Sequence, residues 1–116
     1  MLDINSSHKI YLRAGHTDMR KGINGLSLLA QDIISGQMIS GALFVFRGKK
    51  ADKIKILWWD EQGFCLYYKC LDKGKFTWPS VKDKASIRIS RAQLSMLLEA
   101  IDWRNPSWSD PPGSMG

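Results

Sequence analysis

A chain of 116 residues that is 44% hydrophobic and 10% aromatic can build one modest core and not two, and its 24% charged fraction excludes a collagenous chain or one disordered throughout. The net charge of +6 is localised, because twelve of the seventeen lysines and arginines lie between Arg47 and Arg91, against five of the eleven acids. That asymmetry points to a polyanionic partner, nucleic acid before membrane, since no basic amphipathic helix accompanies it.

The opening Met-Leu-Asp-Ile-Asn-Ser-Ser-His has no apolar run behind a basic end, so no signal peptide is expected. No apolar stretch is long enough to cross a bilayer, and the expected location is cytoplasmic. His8 to Arg13 alternates Ile10 and Leu12 with Lys9, Tyr11 and Arg13, the pattern of a short strand. Thr17 or Asp18 is placed to cap a helix over 18–35, whose apolar stripe is Ile23, Leu26, Leu29, Ala30, Ile33 and Ile34 and whose stop is Gly36. Gly22 and Gly25 lower helix propensity by up to about 1 kcal/mol each, which close approach to a sheet would explain.

From Gly41 to Pro79 the chain alternates β-branched and aromatic segments with turn residues at Gly48 to Asp52, Asp60 to Gly63 and Asp72 to Gly74, the pattern of an antiparallel meander. Its last predicted strand is Lys75 to Trp78, ended by Pro79. Alternation assigns Phe44, Phe46, Ile54, Ile56, Trp58, Phe64, Leu66 and Tyr68 to a core side, and Arg47, Lys53, Lys55, Leu57, Trp59, Tyr67 and Lys69 to the other. A basic loop over Ser80 to Ala85 leads to a short strand at Ile87 to Ile89. Ser90-Arg91-Ala92-Gln93 then fits a capping box for a helix over 91–102 carrying Leu94, Leu97, Leu98 and Ile101. The expected architecture is α+β: an antiparallel meander of five to six strands with two flanking helices, in one domain over 1–103, followed by a flexible tail over 104–116.

The basic-aromatic face suits nucleic acid, because cations neutralise phosphates while Trp59 and Tyr67 offer flat surfaces for bases. Lys49 and Lys50 share a turn and are placed to straddle a phosphate. Arg20 and Lys21 stand at a helix start, where positive charge opposes the macrodipole; a partner carboxylate at Asp18 or a bound anion relieves the conflict. Cys65 and Cys70 are five apart and face opposite sides of a strand, so free thiols are expected. No metal-ligand spacing, phosphate loop or nucleophile motif is present, and Asp60 and Glu61 diverge; neither an enzyme nor a cofactor is expected.

The runs Thr17-Asp18-Met19-Arg20-Lys21, Ser40-Gly41-Ala42-Leu43-Phe44-Val45-Phe46-Arg47, Lys53-Ile54-Lys55-Ile56-Leu57-Trp58-Trp59-Asp60, Gly63-Phe64-Cys65-Leu66-Tyr67-Tyr68-Lys69 and Leu97-Leu98-Glu99-Ala100-Ile101-Asp102-Trp103 resemble the TnpB accessory proteins of the insertion-sequence-sixty-six family. The ordered match spans roughly residues 9 to 106. It implies a small bacterial protein encoded beside a separate transposase and needed for efficient transposition. Arg20, Lys21, Arg47, Lys55 and Lys69 match the family pattern, whereas Cys70 stands where that pattern has arginine.

The expected function is therefore accessory: binding element-end or target DNA through Arg20, Lys21, Arg47, Lys49, Lys50, Lys53, Lys55, Trp59, Tyr67 and Lys69, and assisting the transposase. The alternative is a protein-interaction module in which Leu57, Trp59, Tyr67 and Trp103 contact the transposase or a second copy of the chain. A nuclease dependent on Asp60 is a third reading.

Overall fold

A computed structural model describes residues 8–80 and 83–103; the predicted tail and Lys82 of the predicted basic loop lie outside them. In chain order the elements are β1 (Lys9–Arg13), α1 (Ile23–Ile34), β2 (Ala42–Arg47), β3 (Lys53–Trp59), β4 (Phe64–Cys70), β5 (Ser86–Ile89) and α2 (Arg91–Leu98). The five strands lie in the order β4-β3-β2-β1-β5. Two hairpins join β2 to β3 and β3 to β4, with Val45 opposite Ile56 and Ile56 opposite Tyr67.

The α+β class holds, but the sheet is mixed and not a pure antiparallel meander. β1 runs parallel to β2, with Ile10 opposite Leu43, because α1 carries the chain across between them. β5 returns to pair antiparallel with β1, placing Ile87 opposite Leu12. Neighbours in sequence are thus not always neighbours in the sheet. The predicted strand at Lys75 to Trp78 does not join it either. Phe76 and Trp78 turn inward and are buried, and the Trp78 indole donates to the Arg13 carbonyl at 2.9 Å. Burying two large rings there is worth more than lengthening an edge.

Each helix covers one face. Leu26, Ala30 and Ile34 of α1 pack on Ala42, Phe44, Phe46 and Leu57. Leu94 and Leu97 of α2 lie over the opposite face with Ile10, Leu12, Leu43, Val45, Ile54 and Ile56. The central strands are consequently buried on both sides, which is why β2 reads Ala-Leu-Phe-Val-Phe with little polar interruption.

The helix boundaries are shorter than predicted. α1 starts after Gly22, with no side-chain cap. Thr17 instead accepts from Arg13 Nη1 at 3.1 Å, and Asp18 binds Arg20. Gly22 and Gly25 do not serve close packing on the sheet: a Cβ at Gly22 would meet nothing within 4 Å, and one at Gly25 only the Lys21 side chain. At its far end α1 terminates through Ser35, in the left-handed region at φ 50°, followed by Gly36 at φ 88°. The capping box of α2 forms as the sequence implies, with Gln93 N donating to Ser90 Oγ at 3.0 Å and Ser90 N to Gln93 Oε1 at 2.8 Å. That helix ends at Leu98, whose carbonyl accepts from Lys69 Nζ at 2.6 Å.

The segment between β1 and α1 has no regular structure and is fastened from below. Lys55, in the middle of β3 and only 7% exposed, donates from Nζ to the carbonyls of Met19 at 2.8 Å and Lys21 at 2.9 Å. The same ammonium stands 4.8 Å from the centre of the Tyr68 ring. A second fastening is the 2.7 Å bond from Thr17 N to the Arg47 carbonyl. Gly48 permits the approach, since a Cβ there would meet Met19 Cγ at 2.8 Å.

Two substitutions test these local devices. Ser90→Ala removes one half of the capping box and should lower unfolding free energy by about 1 kcal/mol in urea titration, with an unchanged denaturant slope. Lys55→Met keeps the apolar stem and deletes both charged hydrogen bonds. It should cost roughly 2 kcal/mol and speed amide exchange at residues 17–22, whereas an unaltered exchange pattern would mean that the lysine does not hold the segment.

Candidate nucleic-acid interface

Because β1 and β2 are parallel, the segment after β1 and the turn after β2 emerge at the same end of the sheet. The β2–β3 turn is closed by bonds from Ala51 N to the Gly48 carbonyl and from Gly48 N to the Lys53 carbonyl, both 3.0 Å. Neighbouring backbone is tied onto it, through Leu71 N to the Asp52 carbonyl at 2.8 Å and Phe76 N to the Ala51 carbonyl at 2.7 Å. Two chain segments therefore converge on this turn, and turn and segments alike bring a cation.

An open groove of about 730 Å³ lies there, walled by His16, Arg20, Lys49, Lys50, Lys53 and Tyr68. Lys75 borders an adjoining hollow that shares Lys49 and Lys50. Five cations thus face two carboxylates, Asp18 and Asp52. Arg20, 92% exposed, grips Asp18 through Nη2 at 2.8 Å and Nε at 3.1 Å. Hydrogen bonds from the Arg20 side chain and backbone pull the Asp18 carboxyl down to about 2, so it is ionised at neutral pH. This pairing is the carboxylate solution to the charge conflict foreseen at Arg20. Lys53 is 3.7 Å from Asp52. Lys49 and Lys50 are exposed and make no ion pair among the described residues, which leaves their charge available to an outside anion.

The predicted single basic-aromatic face does not exist. Lys53, Lys55, Leu57 and Trp59 share the α1 side with Phe44, Phe46 and Tyr68, whereas Arg47, Tyr67 and Lys69 share the α2 side with Ile54, Ile56 and Trp58. Alternation fixes faces within a strand, but the phase between strands is set by the turns, and a shift of one residue exchanges the faces.

Of the ten residues proposed from sequence, Arg20, Lys49, Lys50 and Lys53 meet at the groove, with Lys21 exposed beside it. The others are engaged elsewhere. Lys55 is the internal fastening and Lys69 closes the C-terminus of α2. Arg47 places its guanidinium 5.9 Å from the centre of the Trp78 ring and donates to the Gly48 carbonyl. Trp59 packs edge-on against Phe64 at 5.1 Å, and Tyr67 lies against the α2-side core. Arg88 sits over Tyr11, which in turn stacks on Phe44.

Tyr68 and His16 in the groove, and Lys75 at the adjoining hollow, are residues that the sequence pattern does not single out. Alternation places Tyr68 on the core side because it follows Phe64 and Leu66 at a spacing of two. It shares their side of the strand, yet near the strand's end it is 49% exposed. A hydrogen bond to the Cys70 side chain raises its phenol above the ordinary value.

The alternative apolar patch is largely internal: Leu57 and Trp103 are buried, the latter donating from its indole to the Thr77 carbonyl at 2.9 Å. Asp60, the carboxylate of the nuclease reading, accepts from the backbone of Gln62 and Gly63, both at 3.0 Å, and these bonds lower its pKa. Glu61 instead accepts from the Ser40 hydroxyl. Cys65 and Cys70 are free thiols. Among the described residues no group of three or more His, Cys, Asp or Glu is placed to hold a metal, and no helix is long and apolar enough to cross a membrane.

A family model described as IS66 Orf2-like protein matches residues 8–108. The chain is 44% identical to the Sinorhizobium fredii (strain NBRC 101917 / NGR234) protein named "Uncharacterized protein y4hO", over the full length of both. It is 36% identical to a second protein of that strain, "Uncharacterized protein y4jC", over 82% of this chain and 80% of the relative. No solved structure matches it significantly. With matched residues running from the first strand to beyond the second helix, the chain belongs to the IS66 Orf2-like family, whose role is accessory to transposition.

Proposed function

We propose that this protein is a non-catalytic accessory factor that holds DNA of its transposable element by the basic end of the sheet. Phosphates are the main contacted groups, and the helix-covered middle of the sheet takes no part. The observation that carries the reading is the convergence of Lys49, Lys50, Lys53 and Arg20 on one open groove, with Lys75 on the adjoining hollow and with Lys49 and Lys50 unpaired among the described residues. Phosphate contacts position a protein on DNA without reading sequence, so the reading implies modest base specificity.

Anisotropy titration with a duplex carrying an element end tests it. Four phosphate contacts predict affinity falling on the order of 100-fold between 50 and 200 mM salt. Lys49→Glu or Lys50→Glu should weaken binding and reduce the salt slope by about one. Lys9→Glu makes the same charge change at the opposite end of β1 and should leave both quantities unchanged. Absence of binding at low salt, or equal losses at Lys9 and Lys50, would overturn the proposal and favour a role through protein contacts with the transposase.

A further inference from the structure

The groove contains one feature that a purely phosphate-binding surface does not need. Tyr68 is a half-exposed aromatic ring within a rim of cations, at the end of the edge strand β4. One side of the ring is occupied by the Lys55 ammonium, 4.8 Å from its centre, and Lys55 is itself buried. Tyr68 is nonetheless 49% exposed and lines the groove, so part of the residue not covered by Lys55 is accessible from it. Lys55 cannot swing aside, because its Nζ is bonded to two backbone carbonyls, of Met19 and Lys21. The cation–π contact thus favours one placement of the ring.

An accessible aromatic residue in a groove edged by Lys53, Lys49, Lys50 and Arg20 has the parts of a nucleotide site: a surface for a base and cations for the phosphates flanking it. The groove volume of about 730 Å³ lies within the range of small-molecule sites and suits a nucleotide. A paired base inside a duplex has both of its sides covered by its neighbours, so the ring suits an unpaired base and not an internal pair. Resting on the DNA-binding reading above, we infer that the groove takes an unpaired nucleotide, at a single-stranded end or overhang, with its base stacked on Tyr68.

The test compares a short labelled single strand with a blunt hairpin duplex of related sequence, using wild type, Tyr68→Leu and Tyr68→Phe. Leucine keeps apolar bulk beside Lys55 and removes the stacking surface; phenylalanine keeps the ring and loses the hydroxyl. Tyr68→Leu should weaken single-strand binding roughly tenfold while leaving hairpin binding unchanged, and Tyr68→Phe should match wild type. A direct readout on the unmodified protein is 2-aminopurine placed at an unpaired end, whose fluorescence should fall on binding as the base stacks. Equal losses on both DNA forms, no loss on the single strand, or unchanged 2-aminopurine emission in the complex would overturn the inference. In those cases, sensitivity of both DNA forms to Lys50→Glu would leave phosphate binding standing, whereas failure of both DNA forms to bind would remove the two readings together.

Discussion

The burial of one ammonium group underlies the arrangement of this end of the protein. A lysine in the middle of a sheet is unfavourable unless its charge is solvated by something other than water. Lys55 meets that requirement with the carbonyls of Met19 and Lys21 and with the ring of Tyr68. The requirement acts in both directions: the strand needs the acceptors, and the acceptors belong to a segment that has no secondary structure of its own. Strand, segment and ring are thereby held as one unit. Arg20 inherits its position from that unit, and Lys49 and Lys50 inherit theirs from the turn on which the segment rests.

Local devices were legible in the sequence because their causes are local. The Ser90–Gln93 box, the apolar stripe of α1 and the β3–β4 hairpin all appear where spacing and turn chemistry put them. Strand order was not legible in the same way. Nothing near His8 to Arg13 says that β1 will lie parallel to β2 on one side and antiparallel to β5 on the other. The relative phase of β2, β3 and β4 was likewise hidden, since alternation is equally satisfied by either assignment of faces. Phe76 and Trp78 look like strand residues, yet their rings fill space beneath α2, a matter of packing that no short window contains.

The same distinction explains which cations were identified usefully. Lys49 and Lys50 stand in a turn, and residues there usually keep their heads in water, so sequence position alone announces their availability. Lys55 and Lys69 share a strand pattern with Lys53, but the first two reach backbone carbonyls of other elements, 34 to 36 residues away for one and 29 for the other. A lysine contributes equally to net charge whether its ammonium meets solvent or a carbonyl. Charge counting therefore located the basic region and overstated how much of it faces outward.

Covering both faces of the sheet leaves its ends and edges for contact, and the two ends carry different side chains. At one end, β1 and β2 finish and β3 begins, bringing the groove cations together. At the other, β3 finishes and β4 begins, and a hollow of about 510 Å³ is bordered by Asp60, Glu61, Trp58, Trp59 and His8. There Asp60 is tied into its own turn and Glu61 to Ser40, which keeps both carboxylates at the end away from the groove lysines. Lysines without an ion-pair partner among the described residues are therefore found at the groove end, Lys49 and Lys50 being the clearest cases, and that is the end a polyanion meets on favourable terms. The parallel β1–β2 pair is what makes this possible, because it alone brings the Arg20 segment and the Lys49–Lys50 turn to a common pole.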